Sequence, residues 1–459
     1  MIGRLRHPLV AVAAALLLTL PFIALFVTHG YHLDPASTST NPHTNISPTV
    51  AVLAGGLAIL GAAFLLAWGA ETAEKDVPTA FAIAVLAVLA VAPEYAVDAL
   101  YAWNAGAFEG TARGMEAANL AIANMTGANR ILIGLGWSGI ALFTIYRAKR
   151  TGDSAVIQRT GFLTDAVAID RDISLEITFL LAATAYAFFI PLGNGIGIVD
   201  TIVLVGLFAL YILIIIRGDI EETDAHIGVP AYFQAYSKGP RVAVVLFLFA
   251  FSGVVIFEAV HPFALGLEEL GTALGVPPFF MIQWLAPLAS ESPELIVVAY
   301  LVNKARSTAG FNALISSKLN QWTLLIGTLA IVYSIAAGQI GTLSFDQKQA
   351  AEIWITAAQS LFALAILLNF EISIREAVTL LVLFVSQVVA EFYVIQTYAE
   401  PAAADIGLLI LYGYTGVYTF FGIGLFLMRT GSVRELIAYT VSDIRTAISR
   451  DATQPDRAD

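Results

Sequence analysis

The sequence has no cysteine and few charged residues. The absence of cysteine excludes disulfides, thiolate metal sites and cysteine nucleophiles. Charged types make up only 13% of the 459 residues, against 58% for hydrophobic types, and soluble domains usually carry about 25%. So little charge cannot cover soluble domains, which excludes a cytosolic enzyme, a nucleic-acid-binding protein and a disordered scaffold. With 23 basic and 35 acidic residues, no anionic partner is implied. The composition predicts a polytopic membrane protein that lies in a lipid bilayer.

Twelve mainly apolar runs approach or exceed the length of about 20 residues that a helix needs to cross a bilayer. They are residues 8–28, 48–70, 79–103, 116–146, 172–192, 195–217, 241–261, 275–303, 309–338, 348–369, 373–398 and 404–428. The first run follows two arginines and could instead be a cleaved signal peptide. The tail after residue 429 has apolar spacing typical of a helix on the inner membrane face.

The distribution of basic residues predicts the orientation of the chain. If the N-terminus is cytoplasmic, 19 of the 23 basic residues fall on cytoplasmic segments. Only Arg113 and Lys348 fall on outer loops, while Arg130 and Lys318 remain inside predicted spans. We therefore expect a multi-pass protein of the cell membrane with both termini in the cytoplasm. An error of one span would remove this bias, which supports the count of twelve.

Two segments of the chain repeat the same pattern. Pro93-Glu94 in the third span and Pro293-Glu294 in the eighth each precede an apolar run, a tyrosine and an asparagine. The following spans also correspond, and each ends in a Leu-Ile-Gly or Ile-Leu-Ile-Gly phrase at Gly134 or Gly327. Because the copies lie five spans apart, they cross the membrane in opposite directions. Inverted repeats with interrupted helices are typical of secondary transporters, whose site lies at mid-membrane between the copies.

The prolines place backbone oxygens near the glutamates. A proline inside a helix frees the carbonyl four residues earlier, here those of Leu89 and Ala289, and Pro287 frees that of Gln283. Hard cations such as Ca²⁺ and Na⁺ prefer sites built of oxygen. Irregular backbone at this depth is tolerated where it is buried in protein or lines a cavity. The pattern therefore predicts two helix breaks beside a cation site.

Acidic residues inside the spans are functional candidates, because an intramembrane carboxylate costs at least about 2.5 kcal/mol. Glu94 and Glu294 are the first candidates as cation ligands. Asp98 and Glu291 share a helix face with them and could instead line a water-filled vestibule. On the next spans, neutral polar residues either complete the oxygen shell or bond between helices. These are Asn124, Thr126 and Asn129 in one copy and Ser316, Ser317, Asn320, Gln321 and Thr323 in the other.

At these residues the chain resembles the cation/calcium exchanger superfamily, the sodium/calcium exchanger-like membrane proteins. The resemblance implies an all-α fold of two inverted five-helix repeats plus one extra helix at each end. The implied divisions are an N-terminal helix and outer loop (1–47), a first repeat (48–217), a cytoplasmic linker (218–240), a second repeat (241–398), and a final helix with a cytoplasmic tail (399–459). The family has a Gly-Thr-Ser-x-Pro-Glu phrase and a Gly-Asn-x-x-Gly-Ser-Asn phrase in each repeat.

The resemblance also implies roles for particular residues. Glu94 and Glu294 match the two ion-coordinating glutamates, Ser317 matches the serine of the second phrase, and Gln321 matches the residue one turn later. Either Asn124 or Asn129 takes the corresponding place in the first repeat, and Asn320 lies beside these positions. The chain departs from the family where Ala90-Val91 replaces Thr-Ser, which removes hydroxyls that the family uses for sodium, and where Ser290-Glu291 adds a carboxylate.

Two cations accompany the candidate site. Lys318 either neutralises a nearby carboxylate or acts as a tethered cation that the transported ion must displace. For Arg130 we favour the structural role, as a neutralising or snorkelling side chain. Counted with Glu94, Asp98, Glu291 and Glu294, these residues carry a formal charge of −2. That charge suits one divalent ion and puts a three-sodium stoichiometry in doubt.

The resulting expectation is an antiporter that exchanges Ca²⁺ for Na⁺ or H⁺ by alternating access, with no cofactor. Two close carboxylates without a cation repel each other and gain protons, so the sequence does not choose between the counter-ions. The alternatives are a Na⁺/H⁺ or other monovalent cation exchanger on the same fold, and a passive cation channel. An enzyme is not expected, since there is no HExxH zinc motif and all six histidines lie at loops or span ends.

Overall fold

The computed structural model describes residues 7–29, 46–76, 91–193, 195–217, 228–399 and 401–451. Helices dominate the described residues, as expected. In the first half they are α1 (Pro8–His29), α2 (Pro48–Ala73), α3 (Ala92–Ala107), α4 (Ala112–Ile131), α5 (Ser138–Thr151), α6 (Ser174–Ala187) and α7 (Ile198–Arg217). In the second half they are α8 (Val229–Gln234), α9 (Lys238–Ala273), α10 (Pro278–Asn303), α11 (Ser307–Asn320), α12 (Ile326–Ala337), α13 (Gln347–Leu367), α14 (Ile374–Thr397), α15 (Ala402–Met428) and α16 (Thr430–Asp451).

Eleven helical segments among the described residues are long and apolar enough to cross a membrane. They correspond to every predicted span except the third, of which only α3 falls within the described residues. Leu89 and Ala90 lie outside them. Two of the eleven are compound: Ala112–Ala148 covers α4 and most of α5, and Ser307–Ala337 covers α11 and α12.

Local sequence explains where several helices begin and end. The hydroxyl of Thr111 accepts a hydrogen bond from Gly114 N at 3.1 Å at the start of α4, and Asp346 Oδ1 accepts from Gln349 N at 2.9 Å at the start of α13. Such caps satisfy backbone donors that lack a partner inside the helix. Gly152 ends α5 in a left-handed conformation, with φ of 67°, which glycine adopts without a steric penalty.

Each repeat contains a π-helical turn at a corresponding place. Residues Leu132–Trp137 join α4 to α5, and residues Gln321–Leu325 join α11 to α12. The glycine of each phrase packs against the last helix of the other repeat. A methyl group on Gly134 would lie 2.3 Å from Cγ of Phe384 in α14, and one on Gly327 would lie 2.8 Å from Cγ2 of Val205 in α7. These reciprocal contacts are consistent with inverted repeats.

Short β segments tie the two repeats together at opposite ends of the bundle. At the end where α5 finishes and α6 begins, β1 (Val156–Ile157), β2 (Ala166–Ala168) and β3 (Glu371–Ser373) form an antiparallel sheet in the order β1-β2-β3. We call this end the sheet side. At the other end, Ile196 forms an isolated antiparallel bridge with Leu343. The loops alone gave no signal for this pairing, because the strands are only two or three residues long.

Helix α9 is longer than its predicted span, which was placed at 241–261. It continues through Pro262 as far as Ala273. Its extra turns remain packed, since a methyl group on Gly55 of α2 would lie 2.9 Å from Cβ of Phe263, and Tyr101 of α3 donates a hydrogen bond to Glu268 at 2.7 Å. Tertiary contacts therefore hold the helix past Pro262, the residue that directly follows the predicted span.

A bidentate ion pair joins the end of α2 to the start of α9. Arg241 donates from Nε to Asp76 Oδ2 and from Nη2 to Asp76 Oδ1, both at 2.6 Å. The same guanidinium donates to the backbone carbonyl of Tyr236 at 2.7 Å. The hydrogen bonds and positive charge of Arg241 lower the pKa of Asp76 from its usual value. The pair thus fixes the junction between the first helix of one repeat and the first helix of the other.

The tail helix α16 packs on the sheet side of α6. Its Thr440 hydroxyl lies 2.7 Å from that of Thr178, and Asp443 accepts a hydrogen bond from Ser174 at 3.2 Å. Leu436 is also buried. The apolar spacing in the tail is explained at least in part by this packing against the protein.

Candidate functional site

The two Pro-Glu pairs enter the structure in different ways. Pro93 and Glu94 lie in the first turn of α3, where a proline costs no hydrogen bond. In contrast, α10 runs unbroken through Pro287 and Pro293, so the expected break in the second copy is wrong. The hydroxyl of Ser290 lies 3.3 Å from the carbonyl oxygens of Ala286 and Pro287, so it bonds within its own helix.

Glu94 of α3 and Glu294 of α10 are brought together, as the sequence predicted. Glu94 is 2% exposed and lies close enough to Glu291 and Glu294 to interact with both electrostatically. Ser290 also lies beside it. The hydroxyl of Ser317 donates a hydrogen bond to Glu294 Oε2 at 3.0 Å. Three carboxylates from two repeats therefore meet, and a serine at the predicted position orients one of them.

Asp98 lies one turn beyond Glu94 and is paired with the first repeat's asparagine. It is 1% exposed, and its Oδ1 accepts a hydrogen bond from Asn124 Nδ2 at 2.8 Å. Asp98 also interacts electrostatically with Glu94. Asp98 is thus fully buried beside the carboxylates.

Glu291 is held by the second repeat. Gln321 Nε2 donates to Glu291 Oε1 at 2.5 Å, and both side chains are buried. Asn320, the next candidate, has its Oδ1 at 3.5 Å from the hydroxyl of Tyr95. Gln321 stands at the start of the π-helical turn. A widened turn of this kind occurs often at functional sites, and here it carries a residue of the carboxylate cluster.

Lys318 connects the two repeats beside the cluster. Its side chain is fully buried, and Nζ donates to Asn129 Oδ1 at 2.7 Å. The ammonium lies 4.3 Å from the ring centroid of Trp322 and interacts electrostatically with Glu291. Asn129 Nδ2 donates in turn to the carbonyl of Met125 at 2.8 Å. Asn129 therefore serves the lysine here, whereas Asn124 faces a carboxylate of the site.

Arg130 points away from the three glutamates. Its Nη1 lies 2.6 Å from Glu352 Oε2, its Nη2 donates to Gln387 Oε1, and its guanidinium lies 4.9 Å from the ring centroid of Trp284. All of these partners belong to other helices. This geometry supports the structural role that the sequence favoured for Arg130.

Helices α4 and α10 cross at a glycine beside the site. A methyl group on Gly127 would lie 1.8 Å from the carbonyl oxygen of Gln283. This is the carbonyl that Pro287 leaves without its helical donor. The absence of a side chain at residue 127 thus lets the two repeats approach each other to backbone contact.

Several buried oxygens of the site have no hydrogen-bond partner among the described residues. They are Glu94 Oε1, Asp98 Oδ2, Asn124 Oδ1 and Gln321 Oε1. All four are hydrogen-bond acceptors, and oxygens of this kind are the ligands that hard cations prefer. In the described part of the chain no three His, Asp or Glu residues form a ready metal cage. A cation here would need amide, hydroxyl, backbone or water oxygens beside the carboxylates.

Two carboxylates that are buried inside predicted spans were not among the sequence candidates. Glu352 of α13 and Glu391 of α14 are at most 1% exposed. Both fall inside predicted spans (348–369 and 373–398), so the cost argument that selected Glu94 would also have selected them. The repeat pattern does not single them out, because neither belongs to the repeated Pro-Glu phrases.

The family model described as sodium/calcium exchanger protein matches residues 47–217 and 244–393. Together these stretches make up more than half of the chain. The protein belongs to the sodium/calcium exchanger family. The family assignment and the helical architecture both confirm the resemblance found in the sequence.

Several solved structures are similar to this exchanger-family chain. The H⁺/Ca²⁺ exchanger CAX is 38% identical, with a TM-score of 0.79 over 97% of this chain and 99% of that one. The Ca²⁺/H⁺ antiporter protein YfkE is 15% identical, with a TM-score of 0.54 over 83% of this chain and 98% of that one. The second likeness concerns the fold alone. No curated protein matches the chain in sequence.

Proposed function

We propose that this exchanger-family protein is a secondary active antiporter that carries Ca²⁺ in exchange for H⁺ or Na⁺. The observation that carries the proposal is the meeting of Glu94, Glu291 and Glu294 from opposite repeats, together with unpartnered acceptor oxygens beside them. Glu94 and Glu294 are the proposed Ca²⁺ ligands. Asp98, Asn124, Ser317 and Gln321 complete or orient the oxygen shell.

The proposed mechanism is alternating access of one site. The clustered carboxylates repel one another in a medium of low dielectric constant. Either Ca²⁺ or the counter-ions must therefore compensate their charge before the site turns from one side of the membrane to the other. A site without bound cations does not turn to the other side of the membrane, and this couples the flux of Ca²⁺ to that of the counter-ion. The repeats proposed to frame it are residues 48–217 and 241–398, in a cell membrane with both termini cytoplasmic.

Two observations favour H⁺ over Na⁺ as the counter-ion. The H⁺/Ca²⁺ exchanger CAX is similar over nearly the whole chain. In addition, Ala90-Val91 replaces hydroxyl residues that the family uses for sodium. Carboxylates alone can release and accept protons, whereas a dehydrated Na⁺ needs a fuller oxygen shell.

Lys318 is proposed to be a tethered cation within the site. Its ammonium contacts Asn129 and interacts with Glu291, two of the candidate ligands. It would thereby occupy one cation position while the transported ion is absent, and the transported ion would displace it on binding to Glu94 and Glu294. This arrangement implies fewer counter-ions for each Ca²⁺ than a site without the lysine would take.

The test is uptake of radioactive calcium into proteoliposomes under an imposed pH or sodium gradient. We expect gradient-driven uptake that Glu94→Gln or Glu294→Gln abolishes. Glu435→Gln, at an exposed ion pair with Arg171, is the matched control and should leave uptake unchanged.

Three results would contradict the proposal. Robust uptake in both site variants would remove the role of the glutamates. Calcium entry that needs no counter-ion would indicate a channel. Sodium flux driven by a pH gradient, without calcium flux, would indicate a monovalent cation exchanger.

A further inference from the structure

A second buried polar cluster lies beside the carboxylate site, between α4, α13 and α14. Arg130 Nη1 lies 2.6 Å from Glu352 Oε2, and Arg130 Nη2 donates to Gln387 Oε1. Gln387 Nε2 donates to Glu391 Oε2 at 3.0 Å, and Lys348 Nζ lies 3.0 Å from Glu391 Oε1. We call these five residues the arginine cluster.

The arginine cluster is charge-balanced, which limits what it can do. Two carboxylates face one guanidinium and one ammonium, so the cluster offers no net charge to a transported cation. A guanidinium does not release its proton in proteins, so Arg130 cannot pass protons along the chain of contacts. The cluster therefore offers a transported cation no attractive site and no proton path through Arg130, and we consider instead which elements it holds in place.

The arginine cluster grips α4 at the residue next to the site. Arg130 follows Asn129, the partner of Lys318, and stands two residues before the start of the π-helical turn at Leu132. Its backbone is held as well, since Gln359 Nε2 of α13 donates to the carbonyl of Arg130 at 3.4 Å. Both ends of Arg130 are thus fixed by the last two helices of the other repeat.

We propose that Arg130 is a positioning residue for cation exchange, acting through Asn129 on Lys318 and the carboxylates. Its pairing with Glu352 sets the rotation of α4, and this rotation decides where Asn124, Gly127 and Asn129 meet the other repeat. The inference rests on the proposed function for its transport readout. It assigns to the arginine cluster the preorganisation of the cation site, as supporting residues do around a metal.

The other repeat provides a natural contrast. Glu352 and Glu176 are both the sixth residue of their spans, Gln347–Leu367 and Arg171–Leu192. Gln387 and Tyr211 are both the fourteenth residue of the next helix. Tyr211 donates to Glu176 at 3.0 Å, and no salt bridge to Glu176 is found in the described part of the chain. Glu176→Gln therefore removes a corresponding carboxylate without leaving a buried cation unpaired.

The experiment compares Arg130→Met, Glu352→Gln, the double variant Arg130→Met/Glu352→Gln and Glu176→Gln with the unchanged protein. Thermal stability in detergent and the KM and kcat for Ca²⁺ are measured for each. Each single variant leaves one buried charge without its partner and should lower the melting temperature, whereas the double variant should recover it. KM for Ca²⁺ should rise about tenfold in each single variant of Arg130 or Glu352, and it should stay raised in the double variant. Glu176→Gln should leave KM near the value of the unchanged protein.

The double variant decides the matter. If it recovers both stability and KM, the arginine cluster is only a structural ion pair and the proposal fails. It fails equally if KM is unchanged in a well-folded single variant. Arg130→Lys keeps the charge but not the two-pronged geometry. Its KM should lie between that of the unchanged protein and that of Arg130→Met. If the unchanged protein transports no Ca²⁺, the proposed function fails separately, and the stability comparison still reports whether the ion pair holds the fold.

Discussion

Lys318 and Arg130 are both fully buried cations, but they have different partners. Arg130 is paired with a carboxylate outside the site, while Lys318 contacts an amide and interacts with a carboxylate of the site. Lys318 stands nine residues before Gly327, just as Met125 stands nine residues before Gly134. Met125 is also buried. The second repeat therefore has a charge where the first has an apolar side chain of similar length.

Replacing Lys318 by methionine tests whether it counts as one of the site's cations. Lys318→Met would add one net negative charge to the site, and we expect one more monovalent counter-ion to compensate it. The Hill slope of calcium uptake against counter-ion concentration should then rise by up to about one, since one further charge must be balanced. Initial rates in proteoliposomes at several counter-ion concentrations measure this slope.

The matched control is the charge-conserving double variant Lys318→Met/Glu291→Gln. It removes one positive and one negative charge, so its Hill slope should equal that of the unchanged protein. A slope that stays the same in the single variant would show that Lys318 is not part of the exchanged charge. Lys318→Arg keeps the positive charge, so it shows whether charge alone is sufficient to keep the Hill slope of the unchanged protein.

The residues of the site differ in how well the sequence could reveal them. Glu94, Glu294, Asp98 and Glu291 could be selected because charge is costly in a membrane. The division of labour between Asn124 and Asn129 could not, because it depends on which way each side chain points at the crossing of α4 with α10 and α11. The same free-energy cost of a carboxylate inside a span could have selected Glu352 and Glu391, although neither belongs to a repeated motif.

At the level of helices, the crossing of α4 and α10 decides whether the site can form. Gly127 lies directly on the carbonyl of Gln283, a backbone atom that cannot turn aside as a side chain can. The nearby site residues of both helices depend on this short separation. The crossing is therefore more sensitive to an added methyl group than an ordinary side-chain contact.

Gly127→Ala should separate the two helices and impair both folding and transport. We expect the free energy of unfolding to fall by about 1–3 kcal/mol, which is typical of overpacking a tight interior. We also expect a lower initial rate of calcium uptake. Thermal unfolding in detergent and uptake in proteoliposomes measure the two effects.

Gly139→Ala is the control for the glycine prediction. A methyl group on Gly139, also helical, meets nothing within 4 Å. Because alanine favours a helix more than glycine does, this variant should be unchanged or slightly more stable. A Gly127→Ala protein as stable and active as Gly139→Ala would contradict the importance of the crossing.

Hydropathy predicted the helices better than it predicted their ends and interruptions. The span of α9 was set too short at Pro262, and α10 was expected to break where it remains continuous. Proline does not end or interrupt the helix in either place, and beyond Pro262 contacts from α2 and α3 hold the extra turns. The three-stranded sheet could not be predicted because its partners lie about 200 residues apart in the chain.

For the molecule as a whole, the ion pair of Asp76 and Arg241 links the two repeats outside the spans. Since the folded protein lowers the pKa of Asp76, the pair stabilises the fold fully above the unfolded pKa of about 4. This stabilisation is lost as the pH falls through the lower, folded pKa. Asp76→Asn should therefore melt at a lower temperature than the unchanged protein at pH 7, with a smaller difference at pH 3.

Thermal unfolding in detergent at the two pH values measures this dependence. Glu435→Gln is again the control, because an exposed pair contributes little to stability and should shift melting little at either pH. An equal loss of stability for Asp76→Asn at both pH values would show that the carboxylate charge is not the source of the effect.

The contacts between repeats also determine the order in which this protein can mature. Gly127 meets Gln283, Asn129 meets Lys318, and Arg130 meets Glu352, so the first half of the chain leaves the ribosome before any of these partners exists. A newly inserted first half must hold Glu94 and Arg130 in the bilayer without them. Co-translational assembly is therefore expected to be the vulnerable period of its biogenesis, and membrane chaperones or early contacts with α9 and α10 would matter most then.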